Sequence, residues 1–340
     1  MTPPESPAEK RPKVTLSPIE EPKALLATGV SAIAKQVITN VEKVVVGKHE
    51  QVVLAVAVFL AEGHLLIEDV PGVAKTMLAR AIAQSTGCSF KRIQCTPDLQ
   101  PSDVLGEARL DPQSGRSEFR FGPLFSQFVL VDEINRASPR TQSALLEAMG
   151  EAMVSAGNVT YRLQKPFMVV ATQNPIEQEG TFRLPEAQKD RFLMRINLGY
   201  PSFADEKQMV ERFQLRHPIE LLQPVTTPDT ITKCQEAVRG VQVTSAACDY
   251  ILKIVRATRE HPALLLGSSP RGSLGLFRAA QAMTAIEGKD FVSVEQVKAI
   301  AQKVLAHRLI VRRDEKHRDV EVADVVAEIL AQTPIPDRAA

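Results

Sequence analysis

A chain of 340 residues is long enough for about two ordinary domains, and its 44% hydrophobic and 24% charged residues argue against a coiled coil, a fibrous repeat or a disordered chain. A net charge of +1 lacks the basic excess of a protein that grips nucleic acid along its whole surface. The longest apolar run, Val52 to Ala61, is well short of the roughly 20 residues that span a bilayer, and the first residues, MTPPESPAEKRPK, hold nothing resembling a signal peptide, so the expected location is the cytoplasm.

Met1 to Pro22 carries six prolines among charged residues, which predicts a flexible tail with no catalytic part. Helical periodicity follows through Ala24 to Val44 and Glu50 to Glu62, then a short apolar strand at His64 to Ile67. A loop containing Pro71 and Gly72 leads into a helix at Thr76 to Gln84 and a strand at Phe90 to Cys95. Further strands read at Phe128 to Val131, Phe167 to Thr172 and Phe192 to Leu198. Short apolar runs separated by helical segments predict an α/β domain over 23–202, with a doubly wound parallel sheet buried on both faces. Beyond Pro201 the strands are expected to stop. Helices at Phe203 to Leu215, Asp229 to Gly240, Ser245 to Arg259, Ser269 to Thr284, Val294 to His307 and Val320 to Ala331 make 203–340 an all-helical domain. Ser293 with Gln296 forms a capping pattern before Val294, and Pro228-Asp229 stands ahead of Thr230. Cys88, Cys95, Cys234 and Cys248 lie far apart without CxxC spacing, and the six histidines lack metal-ligand spacing, so neither a zinc site nor a disulfide framework is expected.

The stretch from Leu66 to Thr76, LIEDVPGVAKT, joins a strand to a helix as a phosphate-binding loop does. Backbone N–H groups and the positive helix end cradle phosphate oxygens, Lys75 reaches the β and γ phosphates, and the Thr76 hydroxyl ligates Mg²⁺. Pro71, Gly72, Val73, Ala74 and Met77 complete the nucleotide-binding set. The pattern G-x-x-x-x-G-K-[ST] is departed from at two places, where Asp69 and Ala74 stand for glycines. Asp tolerates left-handed backbone better than most residues, and Ala suits the first turn of a helix beginning at Lys75. Downstream, Phe128 to Glu133 is an apolar strand ending in paired acids; Asp132 is expected to hold the Mg²⁺ shell and Glu133 to orient or deprotonate the attacking water. A third strand ends at Gln173-Asn174-Pro175. Its polar tip falls between the first two motifs if the sheet is doubly wound, where Asn174 orients the water; an Asn before Pro taken alone is a turn residue.

From about Ala24 to Ala331 these residues resemble the MoxR family of AAA+ ATPases. The resemblance is carried by the loop, by Arg92 to Asp103 (RIQCTPDLQPSD), by Asp132 to Ala137 (DEINRA), by Leu184 to Phe192 (LPEAQKDRF) and by Ser269-Pro270-Arg271, in the family's order. It implies a P-loop NTPase with a C-terminal helical lid, ATP and Mg²⁺ as ligands, and a homo-oligomeric, hexameric ring with active sites between subunits. It further implies that Arg191 is the arginine finger inserted into the neighbouring subunit's site, that Arg271 is the sensor-two arginine carried by the lid, and that Val46-Gly47 lines the adenine pocket. Two hairpin insertions, around Glu107 to Phe121 and around Val154 to Leu163, are similar to those of the family's clade; their Pro, Gly and Asn turns also read independently as hairpins. Such hairpins point into the ring pore and engage a protein client. Family members are similar to chaperones: they remodel or mature protein complexes, sometimes during metal-cofactor insertion, and pair with proteins carrying a von Willebrand factor A domain. Competing readings are a nucleic-acid motor of the helicase-like clade, a magnesium-chelatase-like motor subunit, and a nucleotide-gated scaffold with little hydrolysis, the last motivated by Asp69 and Ala74. Near-neutral charge and the lack of an appended DNA-binding domain count against the first.

Overall fold

The computed structural model describes residues 27–110, 117–156, 159–175, 181–212, 217–314, 317 and 319–335; the expected tail and the hairpin turns at 111–115 and 157–158 lie outside them. Two helices, α1 (Ala27–Glu42) and α2 (His49–Leu60), precede β1 (Leu65–Glu68), α3 (Lys75–Ser85) and β2 (Phe90–Gln94). A short α4 (Pro101–Leu105) and the antiparallel hairpin β3 (Gly106–Leu110) and β4 (Ser117–Phe121) lead to β5 (Phe128–Asp132). Next come α5 (Pro139–Glu151), a second antiparallel hairpin of β6 (Met153–Ala156) and β7 (Val159–Arg162), and β8 (Met168–Gln173). The α/β part closes with α6 (Glu186–Lys189) and β9 (Met194–Ile196). Both expected hairpins form, while α5 is a full helix that the apolar pattern did not predict.

The five long-range strands make one sheet in the order β2-β5-β8-β1-β9, every pair parallel. Successive side chains on a strand point to opposite faces. Leu65, Ile67, Phe128, Leu130, Met168 and Val170 therefore enter one core with α1, α2 and α3, while Leu66, Val129, Val131, Val169 and Ala171 enter a second one with α5. Both faces are buried, which is why these strands read as unbroken apolar runs rather than alternating ones. The chain leaves β1 for the far edge at β2, returns through β5 to place β8 beside β1, and then fills the opposite edge with β9. That reversal puts a crevice at the carboxyl ends of the central strands, where ligands bind in open α/β sheets.

The remaining helices are α7 (Phe203–Arg212), α8 (Pro218–Leu221), α9 (Pro228–Arg239), α10 (Ser245–Glu260), α11 (Pro270–Glu287), α12 (Val294–Leu305) and α13 (Val322–Gln332). The expectation that strands stop after Pro201 is corrected: β10 (Gln242–Val243) pairs parallel with β12 (Phe291–Val292), and β11 (Leu264–Leu266) pairs antiparallel with β13 (Ile310–Val311). Strands of two or three residues are too short to leave a periodic pattern. Ser293 caps α12 in the expected box with Gln296, and Thr227 rather than Asp229 caps α9, accepting the Thr230 N–H. Among the described residues no helix is long and apolar enough to cross a membrane. The four cysteines are free, three of them buried.

His64 stands buried just before β1. Its Nδ1 accepts the Val169 N–H and its Nε2 donates to the Met149 carbonyl, each at 3.1 Å, so the ring is fixed as a neutral tautomer. Burial pulls its pKa down to about 4, below the ordinary 6.5. Lowered in the fold, this histidine costs nothing above about pH 6.5, but as pH falls towards 4 the unfolded chain takes up a proton that the folded one refuses. His307 is lowered by burial in the same direction. Stability should therefore decline between pH 6.5 and 4, with His64 contributing up to about 3 kcal/mol. Denaturant unfolding of His64→Gln across this range should show a flatter pH dependence than the native chain; parallel curves would refute the assignment.

Candidate functional site

The loop between β1 and α3 is held by a carboxylate. Asp69 Oδ2 accepts the N–H groups of Leu198 and Gly199, both at 2.6 Å, and its Oδ1 accepts the Val70 N–H at 2.8 Å. Asp69 is not in the left-handed region, so its tolerance of that conformation is not why it replaces a glycine. It ties the loop to the segment after β9, which a glycine cannot do. Ala74 is the residue that is left-handed, at φ 63°, and it lies just outside α3 rather than in its first turn. A Cβ there costs about 1–2 kcal/mol. Gly72 is also left-handed, at φ 84°, with open space where a side chain would stand. Lys75 is buried and its Nζ donates to the Asp69 carbonyl at 2.7 Å.

A cavity of about 370 Å³ opens over this loop, lined by Pro71, Gly72, Ala74, Lys75, Thr76, Met77, Arg92, Asp132, Glu133 and Asn174. Three motifs separated along the chain thus meet at the carboxyl ends of β1, β5 and β8. Val73 is buried and does not line the cavity. Nor do Val46, half-buried, and Gly47, which is exposed and packs on Asp205; both lie at the turn between α1 and α2.

The paired acids are placed by groups that were not singled out in the sequence. Thr172 on β8 is wholly buried; its hydroxyl donates to Asp132 Oδ1 at 2.6 Å and accepts the Glu133 N–H at 2.9 Å. One hydroxyl therefore orients both acids. Arg92, quoted only as part of a longer signature, donates from Nε at 3.1 Å and from Nη2 at 2.6 Å to Asp132 Oδ2. Glu133 Oε2 accepts from Gln94 Nε2 and from Arg136 Nη1, both at 3.0 Å, with the Glu133 backbone left-handed at φ 56°. Cys95 lies buried beside the acids, and burial together with the charges of Asp132 and Glu133 pushes its thiol up to about 12, so it stays neutral. A polar residue inside an otherwise apolar strand, as Thr172 is, was the signal available in the sequence.

Arg191 and Arg271 are not in this cavity. They line a separate cleft of about 420 Å³ with Arg278, Arg308, Glu62 and Glu151. Arg191 precedes β9, and the Leu193 N–H bonds the His64 carbonyl at the start of β1, whereas Lys75 follows the end of β1. The two sites therefore lie at opposite ends of the strands, the arginines at the amino ends and the loop at the carboxyl ends.

Residues 64–194 match the ATPase family associated with various cellular activities (AAA), and residues 256–329 match the AAA lid domain. The chain is 44% identical to the Bacillus subtilis protein YeaC over 88% of its length and 93% of that protein. It is 40% identical to the chaperone MoxR1 of Mycobacterium tuberculosis over 89% of its length and 82% of the relative. A crystal structure of a candidate ATPase from Cytophaga hutchinsonii superposes with a TM-score of 0.83 at 36% identity, covering 91% of this chain and 96% of the other. The chain belongs to the MoxR family of AAA+ ATPases.

The donor set of this MoxR-family site suits a magnesium nucleotide. Among the described residues no group of three or more His, Cys, Asp or Glu could cage a metal. Thr76 and Asp132 instead offer two hard oxygen donors beside a lysine and a loop of backbone N–H groups, and Mg²⁺ is commonly bound by one or two such groups plus substrate phosphates and water. The strain at Ala74 is removable: Ala74→Gly should raise stability by about 1 kcal/mol without weakening nucleotide binding. Denaturant titration and calorimetry check both, and a destabilised Ala74→Gly would show that the left-handed turn is not strained.

Proposed function

We propose that this chain hydrolyses ATP to ADP and phosphate in sites completed between the subunits of a homo-oligomeric, hexameric ring, and that turnover remodels or matures protein complexes. The observation that carries the reading is the placement of two arginines, Arg191 and Arg271, at the end of the strands opposite the phosphate loop. A chain with its charge-stabilising arginines at one end of the strands and its phosphate loop at the other cannot bring both to one nucleotide, whereas head-to-tail packing of copies can, and such packing closes into rings.

Within one loop, Lys75 binds the β and γ phosphates, the N–H groups of residues 72–77 cradle their oxygens, and Thr76 with Asp132 holds Mg²⁺. When bound, the metal neutralises phosphate charge. Glu133 orients and deprotonates the attacking water, and Asn174, at the tip of β8, helps to orient it. Charge on the transferring group is met by Arg191 and Arg271 of the adjacent subunit, and a guanidinium so placed is worth about a thousandfold or more in rate. Val46 and Gly47, at the turn between α1 and α2, are assigned to the adenine.

The chaperone name of the MoxR1 relative supports a protein client. The two hairpins support the same reading: Phe119 of β4 stacks on Tyr161 of β7 with ring centroids 4.8 Å apart, and Phe121 beside them is 56% exposed. An exposed phenylalanine on linked hairpins suits contact with an unfolded or loosely held polypeptide. A partner with a von Willebrand factor A domain and a cytoplasmic location, and a division into 23–202 and 203–340, complete the proposal.

Lys75→Ala should abolish ATP binding, while Glu133→Gln should bind normally and hydrolyse far more slowly, because the amide matches the carboxylate in size but cannot take a proton. Calorimetry and phosphate release separate the two; hydrolysis by Glu133→Gln near the native rate would move the base elsewhere.

Specific activity should also rise with protein concentration as subunits assemble. Arg191→Ala subunits, inactive alone, should regain activity when mixed with Lys75→Ala subunits, whose intact Arg191 completes the loop of the first. A mixture that stays dead despite proven co-assembly would exclude a finger acting between subunits.

A further inference from the structure

Arg191 is anchored to the helical part of the chain on both sides. Arg308 Nη1 donates to the Asp190 carbonyl at 3.0 Å and also to Asp190 Oδ1, while Arg308 Nη2 donates to the Phe192 carbonyl at 2.6 Å. His307 Nε2 donates to that same Phe192 carbonyl at 2.9 Å. The second carboxylate oxygen, Asp190 Oδ2, accepts from Ser269 Oγ at 2.8 Å, and the same hydroxyl accepts the Arg271 N–H at 3.1 Å. A single carboxylate thus joins three things: the residue before Arg191, a buried arginine, and the cap that begins the helix carrying Arg271.

Only 3% of the Arg308 side chain and 14% of the Asp190 side chain is exposed. Ion pairs this buried seldom stabilise more than apolar residues of the same size, so stability alone is a weak reason for this one. It is a strong device for direction, because the pair is fixed by two further hydrogen bonds to carbonyls flanking Arg191. The guanidinium of Arg191 itself lies over the α-carbon of Gly150, where a Cβ would overlap Nη1.

We infer that Asp190 is the positioning residue that sets Arg191 and Arg271 side by side, so that both guanidiniums reach the phosphates of a neighbouring subunit's nucleotide together. This rests on the reading of Arg191 as acting between subunits. Asp190 touches no substrate; it acts through the two arginines. Charge-stabilising groups must be aimed to within fractions of an ångström, and a misplacement of about 1 Å can cost on the order of a hundredfold in rate.

The test compares the full-length Asp190→Asn with Ser269→Ala, Ser269→Thr and Gly150→Ala. Asp190→Asn leaves Arg308 buried without its counter-charge and will lower stability, so kinetics are read well below each unfolding midpoint. Ser269→Ala removes one arm of the clasp with no buried charge left over. Gly150→Ala displaces the guanidinium from the other side without touching the clasp. ATP affinity should stay essentially unchanged in all four, since the loop is at the other end of the strands. The kcat should fall about a hundredfold in Asp190→Asn and less in Ser269→Ala and Gly150→Ala, with Ser269→Thr restoring the rate. Mixed with Lys75→Ala subunits, Asp190→Asn subunits should regain hydrolysis, because the defect lies in the finger they donate and not in the loop they own. An unchanged kcat in Asp190→Asn or in Ser269→Ala overturns the inference. So does rescue of Arg191→Ala, but not of Asp190→Asn, by the same partner subunits. If the Arg191→Ala mixture itself stays inactive, the reading beneath fails and takes the inference with it.

Discussion

A parallel sheet covered on both faces leaves its central strands β1, β5 and β8 only their ends for polar chemistry. In β5 the residues from Phe128 to Val131 are buried without exception, and the first carboxylates come at Asp132 and Glu133, where the strand runs out. The same holds for β8, which turns polar at Thr172 to Asn174, and for β1, which ends at Glu68 and Asp69. Because β8 lies between β5 and β1, these three tips converge, and the cavity over the phosphate loop is a consequence of strand order. The amino ends collect a different chemistry, with arginines from just before β9 and from α11.

Convergence brings charges together, and their management explains residues that a motif scan passes over. Two carboxylates adjacent in sequence, with a buried thiol behind them, need cations and donors near at hand. Arg92 and Gln94 share one face of β2 by the two-residue period of a strand, so one reaches Asp132 and the other Glu133. Thr172 comes from the opposite side with a hydroxyl that serves both acids. The acids are therefore clasped between the two strands that flank β5, and their geometry depends on sheet register as much as on their own backbone.

Most of this organisation is legible in the sequence because the sheet is built from strong, short apolar runs and the loop chemistry demands particular residue types at fixed spacing. Lys75, Thr76, Asp132, Glu133 and Asn174 come together as expected for that reason. The reasons assigned to Asp69 and Ala74 were the less legible part. Asp69 earns its place through bonds to Leu198 and Gly199, about 130 residues downstream, a link no local pattern encodes. Ala74 lies outside the helix by a single residue, and whether a boundary alanine is helical or left-handed turns on tertiary contacts. The short strands of the helical part, the half-amphipathic α5 and the mediating Thr172 escaped for related reasons: each is defined by what it touches rather than by its own periodicity.

Burial also decides which residues at the amino ends are free to act and which are structural. Arg191, Arg271 and Arg308 share a cleft and a residue type, yet Arg308 is enclosed, with its donors spent on Val304, Asp190 and Phe192, and Arg271 is exposed at the first turn of α11. Desolvation pulls the Arg308 guanidinium down and the Asp190 carboxylate pulls it back up, the mark of a cation kept charged by its partner. A charge held in this way cannot turn to meet a ligand. Asp190 is committed to Arg308 and Ser269, which leaves the Arg191 guanidinium directed by its backbone and by the bare surface of Gly150 towards the cleft.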